Sequence, residues 1–345
     1  MADPAPKTFA TVFPTKEEGP VDPHLVAAVR ATEKALGMRV FCMVEANNDP
    51  EASVFTPVLF RAMQRTITAQ KAGAPVAVLL HSRGGDAHTA FRLAKTLIKH
   101  SGDYAVIVPF RAKSAATLFS LGASKIILGE SGELGPIDVQ VTDPEREQYM
   151  SALEVVQSLE RLSSEAMQIV DGMMALLLNR SGKRIDSLLP AVLKYASQLT
   201  RPLFDKIDPV FFTSHARLLK IGEDYARILL RQKYDTAADQ IALSLTRKYP
   251  DHGFVLDNDE LEDIGLETEP VPDNLREPLG LPLLSHFGAS TVGFLEAEND
   301  QQASQPSGYS TTDEATPTDR PARRNGGQRR TRDRIGQDGP ENPVE

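Results

Sequence analysis

Short apolar runs alternate with amphipathic stretches along the first half of this 345-residue chain. Residues 39–45 (RVFCMVE) and 75–81 (PVAVLLH) are apolar at nearly every position. That is the pattern of strands covered on both faces, since a half-exposed strand would alternate. Between them, residues 55–71 repeat their apolar side chains at helical spacing. The same reading gives a helix over 89–100, a strand over 104–109, a helix over 114–123 and a strand over 125–128. A β-α-β-α-β-α-β order predicts an α/β fold whose mainly parallel sheet is covered by helices. Open sheets of this kind place ligands beyond the carboxyl ends of their strands, which directs attention to the loops after His81 and Pro109. From residue 145 onward the period becomes helical, over 145–179, 185–199, 215–232 and 236–248, with Gly and Pro as punctuation. A short helix over 257–266 ends at Gly265, so the second half of the chain is expected to be helical.

The pattern lapses outside residues 21–270, which are read as one domain. Residues 1–20, rich in Pro, Thr and charge, read as an N-terminal arm, and residues 271–295 as a peripheral extension. Residues 296–345 are polar and nearly free of large apolar side chains. They cannot offset the entropy cost of ordering and are expected to form a disordered tail. No repeat of fixed period occurs.

Composition narrows the function. Against 38 Lys and Arg stand 47 Asp and Glu, a formal net charge of -9, and phosphate neutralisation needs the opposite balance. No nucleic-acid partner is expected. One local exception is the stretch from Arg320 to Arg334, with seven Arg and one Asp, read as a solvated tail with an acidic partner or RNA as the alternative. Cys42 is the single cysteine, which excludes an intrachain disulfide and fits a reducing cytoplasm. The N-terminus has no basic start followed by an apolar run, and no segment approaches the roughly 18 apolar residues of a membrane span. Neither export nor a membrane span is expected.

Two strand-end loops carry candidate chemistry. In His81-Ser-Arg-Gly-Gly-Asp86 the paired glycines let backbone N–H groups approach a ligand and face a developing oxyanion, although a Gly-Gly turn can equally be structural. No GxxxxGK[ST] occurs in the chain and the GxGxxG spacing is absent here, so this is not a phosphate loop. Ser114 follows the next strand and begins a helix rich in Ala and Leu, at the positive end of its dipole. It either caps that helix or acts as a nucleophile beside the N–H of Ala115, which the small residues Ala115 and Ala116 leave accessible. His81 and His88 flank the glycine turn without an acidic cluster, a poor zinc pattern, and no metal or organic cofactor is expected.

The glycine turn, a serine about 30 residues later followed by Ala-Ala-Thr-Leu, the segment Glu133-Leu-Gly-Pro-Ile-Asp-Val-Gln140, and residues 249–266 (YPDHGFVLDNDELEDIGL) stand in one order. Together they resemble the Clp-fold serine peptidases, especially the serine dehydrogenase proteinase family, related to signal peptide peptidase A, over roughly residues 37–267. The resemblance implies a ClpP/crotonase-like core with Ser114 as nucleophile. It assigns the oxyanion hole to the N–H groups of Gly84 and Ala115, with Gly85 shaping the turn. Arg83 departs from it, standing where such turns often carry Pro, and Val139 stands where Pro often follows the Asp. A polypeptide substrate and a homo-oligomer are further implications, with a separate ATPase or membrane-protein partner left open.

The group that takes the serine's proton is less determined. In the Clp protease subunit a His stands downstream of the serine and an Asp just before the final helix; here those places hold Ile137 or Asp138, and Asp251 or His252. His252 could be the base, oriented by Asp138 or Asp251, because imidazole titrates near neutrality. Lys113 could form a Ser-Lys dyad if burial lowered its pKa, although adjacent residues at a strand end point apart. Asp138 could act alone or position water. Beside the serine endopeptidase stand two alternatives: a crotonase-like acyl-CoA enzyme, which would rely on Glu or Asp rather than Ser, and a non-catalytic Clp-fold scaffold.

Overall fold

The computed structural model of the protein describes residues 22–49, 53–138, 140–143 and 148–295. The expected N-terminal arm, the tail with its arginine-rich stretch, and Val139 lie outside the described residues. The described residues open with α1 (Pro23–Leu36) and β1 (Arg39–Val44), then continue through α2 (Pro57–Thr68), β2 (Val76–His81), α3 (Ala87–Ser101) and β3 (Tyr104–Val108). Next come β4 (Arg111–Ala112), α4 (Ala115–Ser120), β5 (Lys125–Leu128), β6 (Glu133–Leu134), β7 (Gln140–Asp143) and β8 (Gln148–Ser151). The helical half comprises α5 (Ala152–Ser181), α6 (Ile185–Phe204), α7 (Pro209–Tyr234), α8 (Ala238–Arg247) and α9 (Asn258–Asp263). It is followed by β9 (Glu269–Pro270), α10 (Asp273–Arg276), α11 (Leu281–Leu284) and β10 (Thr291–Phe294).

Among the described residues, six strands form the central sheet in the order β10-β1-β2-β3-β5-β9. All neighbours run parallel except β10, which is antiparallel to β1. The fully apolar strands are explained by the two layers that cover them. Phe41, Met43, Val78, Leu80, Val106 and Val108 face one core with α2, α3, α4, α7 and α8. Val40, Cys42, Val44, Leu79 and Ile107 face a second core with α1, α10 and α11. The α/β architecture with a mainly parallel sheet and a helical second half is as expected. None of the described helices is long and apolar enough to cross a membrane.

Two expectations are corrected. The helix expected from residue 145 starts at Ala152, where the Ser151 hydroxyl caps it by accepting from the N–H groups of Leu153 and Glu154. Residues 148–151 pair instead with 140–143 as an antiparallel hairpin. Residues 271–295 are not peripheral: Val271, Leu275, Leu279, Leu283 and Phe287 are all buried in the second core, and β10 extends the sheet. Four prolines in 270–282 break that spacing of four into short turns, which hides it from a search for continuous helical periodicity.

Candidate active site

Beyond the carboxyl ends of β2 and β3 the chain builds a small second layer across the sheet. Ser82 bridges Ala112 in parallel, β4 pairs with β6, and Leu134 bridges Leu256. The Ser82 N–H donates to Arg111 O and the Lys113 N–H to Ser82 O, both at 3.0 Å, while Leu134 and Leu256 exchange N–H···O bonds of 2.9 and 3.2 Å. Four segments far apart in sequence, 82–85, 111–115, 133–138 and 249–256, are thereby sewn side by side. They carry every residue that the sequence marks for chemistry.

Ser114 stands at the turn from β4 into α4 with φ 52° and ψ -114°. For a non-glycine residue this is a strained conformation, costing about 1–3 kcal/mol. The hydroxyl makes no capping hydrogen bond, so the bland alternative for this serine fails: it does not cap α4. The turn instead leaves Ser114 half-buried while Ala115 and Ala116 are buried behind it. A sharp, strained strand-to-helix turn that presents a serine hydroxyl is the geometry a nucleophile needs. Among the described residues, the Ala115 N–H has no acceptor.

Gly84 lies against the serine. A Cβ there would come within 2.8 Å of both Lys113 O and Ser114 Cβ, and 3.2 Å of Ala115 N, at φ +116°. The backbone can approach this closely only because position 84 is glycine. Its N–H, however, is not free as expected: it donates to Ser82 Oγ at 2.9 Å. The neighbouring Gly85, at φ +144°, has an N–H with no acceptor among the described residues. Sequence reasoning missed the group that anchors this turn, Glu45, because a lone acid at a strand end reads as the strand's polar boundary. Its carboxylate is fully buried and accepts from Ser82 Oγ (2.6 Å), the Arg83 N–H (2.7 Å) and the Val54 N–H (3.0 Å). Burial pushes its pKa up, against those hydrogen bonds and the Arg83 charge.

Lys113 holds three contacts of its own. Its Nζ reaches Glu133 Oε1 at 2.9 Å, Leu134 O at 3.0 Å and Phe254 O at 3.1 Å. Its three donor positions are met by these three acceptors, none of which belongs to Ser114. Lys113 instead clamps the three loop segments together. Replacing it by Met should strand the half-buried Glu133 carboxylate and lower stability by about 2–3 kcal/mol in urea unfolding; an unchanged midpoint would show that the clamp carries no weight.

Asp138 and His252 come together as a pair. His252 Nδ1 lies 3.8 Å from Asp138 Oδ2, an ion-pair distance rather than a hydrogen bond. Both flank a cavity of about 170 Å³ that also takes in Ser151 and Tyr249. Among the described residues, Asp138 Oδ1, His252 Nδ1 and the Tyr249 hydroxyl are buried with no hydrogen-bond partner. Burial lowers the His252 pKa from 6.5, opposed by Asp138 and Asp251 and assisted by the Lys113 ammonium. Burial likewise raises Asp138, against a hydrogen bond from Ser151. The Lys113 charge acts on His252, but no hydrogen bond joins His252 to Ser114 among the described residues. Catalytic hydrogen bonds are commonly loose in a ligand-free enzyme.

The other histidines serve the scaffold. His81 is buried between Phe110 and Phe287, with Nε2 3.1 Å from Asn47 Oδ1, and burial pushes its pKa down to about 3. His88 Nδ1 meets the Tyr225 hydroxyl at 2.8 Å. Among the described residues Asp22, His24 and His286 group closely enough to hold a metal, with ligand atoms within 4.8 Å of one another. The two imidazoles are stacked at 3.9 Å and 21°, so their in-plane lone pairs run side by side instead of converging on one ion.

Residues 55–197, which contain the glycine turn, Ser114 and Asp138, match the family of ClpP-like SDH-type serine proteinases. Two proteins of Methanocaldococcus jannaschii, both described as uncharacterized, are similar to this chain. MJ0137 is 40% identical over 77 residues, 22% of this chain and 27% of that protein. MJ1495 is 24% identical over 264 residues, 73% of this chain and 74% of that protein. The chain therefore spans about a quarter of the first relative and three quarters of the second. The resemblance read from the motifs stands: across residues 55–197 this chain carries the Clp-fold serine-peptidase pattern of the SDH-type proteinases.

Proposed function

We propose that the protein is a serine endopeptidase that cleaves polypeptide through an acyl-enzyme on Ser114. The observation that carries the reading is the strained Ser114 turn with an uncapped hydroxyl and, beside it, an Ala115 N–H that has no acceptor among the described residues. Ser114 Oγ attacks the peptide carbonyl, and the tetrahedral oxyanion is held by two N–H groups. Since Gly84 gives its N–H to Ser82, the hole is assigned to Gly85 and Ala115, with Gly84 supplying the close approach. His252 takes the serine proton and returns it to the leaving amine, with Asp138 favouring the imidazolium that forms in between. Water then releases the acyl group, and no metal or organic cofactor enters any step. Polypeptide substrates and assembly into a homo-oligomer belong to the same reading.

A general base must be neutral, so kcat/KM should be lost as pH falls through the His252 pKa. Burial places that acid limb below 6.5, the ordinary imidazole value. A pH–rate profile with its limb above 6.5, or a limb retained in His252→Ala, would assign the proton transfer elsewhere. The reading as a whole is tested with a fluorophosphonate probe and peptide mapping: the adduct is expected on Ser114 and nowhere else. A protein that takes up no probe would favour the scaffold alternative, and enolate-type turnover of an acyl-CoA without Ser114 labelling would favour the crotonase-like one.

A further inference from the structure

The proposed chemistry does not use Glu45, yet it is among the most committed polar groups in the molecule. A buried carboxylate is tolerated only when its lone pairs are met, and three donors meet this one. Those donors come from the two segments that hold the Gly84–Gly85 peptide. On one side, Ser82 donates to Glu45 Oε1 and so turns its oxygen lone pairs to the Gly84 N–H at 2.9 Å. On the other, the Val54 N–H is tied to Glu45 Oε1, and the adjacent Ser53 hydroxyl donates to Gly84 O at 2.8 Å.

A trans peptide points its C=O and the following N–H in opposite directions, so fixing Gly84 O on Ser53 fixes the direction of the Gly85 N–H. Glycines at φ +116° and +144° have no side chain to restrict them and would otherwise sample several orientations. Arg83 contributes a third tie through its own N–H, which a proline at that place could not give. Its guanidinium lies near the same carboxylate and also reaches the carbonyls of Ala46 and Asp49.

We propose that Glu45 is a positioning residue for the oxyanion hole: through Ser82 and through the Val54–Ser53 segment it locks the Gly84–Gly85 peptide so that the Gly85 N–H faces the carbonyl attacked by Ser114. The inference rests on the peptidase reading and deepens it.

The test compares Glu45→Gln, Ser82→Ala and the double variant, each shown folded by near-ultraviolet circular dichroism and a cooperative thermal transition. Ser53→Ala and Ser53→Thr form a second pair that leaves Glu45 untouched, in case Glu45→Gln does not fold. Expected are kcat losses on the order of 10- to 100-fold with KM little changed, because a misdirected donor weakens the transition state more than the ground state. The double variant should be no worse than the more affected single one, since both break one chain of contacts. Ser53→Thr, which keeps the hydroxyl, should recover the rate that Ser53→Ala loses. The rate of Ser114 labelling by fluorophosphonate should fall in parallel. Wild-type labelling matched by equal rates in the folded variants overturns this inference alone, as does a loss confined to KM or failure of Ser53→Thr to recover. Absence of labelling in the wild type overturns the peptidase reading and this inference with it.

Discussion

Ser114→Ala is expected to leave the fold intact and to reduce hydrolysis of unfolded polypeptide by on the order of 10⁴-fold or more. Among the described residues the hydroxyl makes no capping hydrogen bond that the fold would miss, and alanine meets the same φ penalty as serine at 52°. Stability should therefore shift by under about 0.5 kcal/mol, the range of a side chain without structural partners. A large loss of activity at constant stability separates a nucleophile from a cap, because removing a cap costs about 1 kcal/mol and leaves chemistry unaffected. Turnover of a dye-labelled denatured protein, measured beside urea unfolding of the same preparation, reads both quantities. Retention of most of the wild-type rate would remove Ser114 from the mechanism.

Gly84→Ala should have the largest effect on stability. Its Cβ would press within 2.8 Å of a backbone oxygen and of Ser114 Cβ, neither of which is the yielding end of a flexible side chain. The residue would also have to hold φ +116°, which L-residues avoid. Overpacking and backbone strain together should cost about 3–5 kcal/mol. Where the protein still folds, displacing Ser114 by even part of an ångström should lower kcat on the order of 100-fold. Urea denaturation and kcat on the same sample check both, and a variant as stable and active as the wild type would mean that the turn and the nucleophile are not in contact.

Much of this was legible from residue order alone. Strands β1, β2, β3 and β5 are apolar at successive positions, and such runs leave little choice but a sheet covered on both faces. The glycine turn and Ser114 then fell at the ends of two of these strands, where open sheets put their sites. Hidden were features decided by long-range geometry. Position 271 begins a series of five buried residues spaced four apart, but prolines cut it into pieces too short to read as a helix, and β10 is only four residues long. Nothing in the sequence near Gly84 announces that Ser82 takes its N–H, because the direction of a hydroxyl is set by its partner, and that partner, Glu45, comes 37 residues earlier. Lys113 was readable as a base for the same reason: its acceptors, Leu134 and Phe254, lie 21 and 141 residues away.

The most direct measurement is a crystal structure with a peptidyl boronic acid, whose boron mimics the tetrahedral carbon. The predicted result is a covalent bond from Ser114 Oγ to boron, with one boronate oxygen about 2.7–3.1 Å from the backbone nitrogens of Gly85 and Ala115. A boronate bound to another residue, or one on Ser114 whose oxygens meet neither amide, would contradict it.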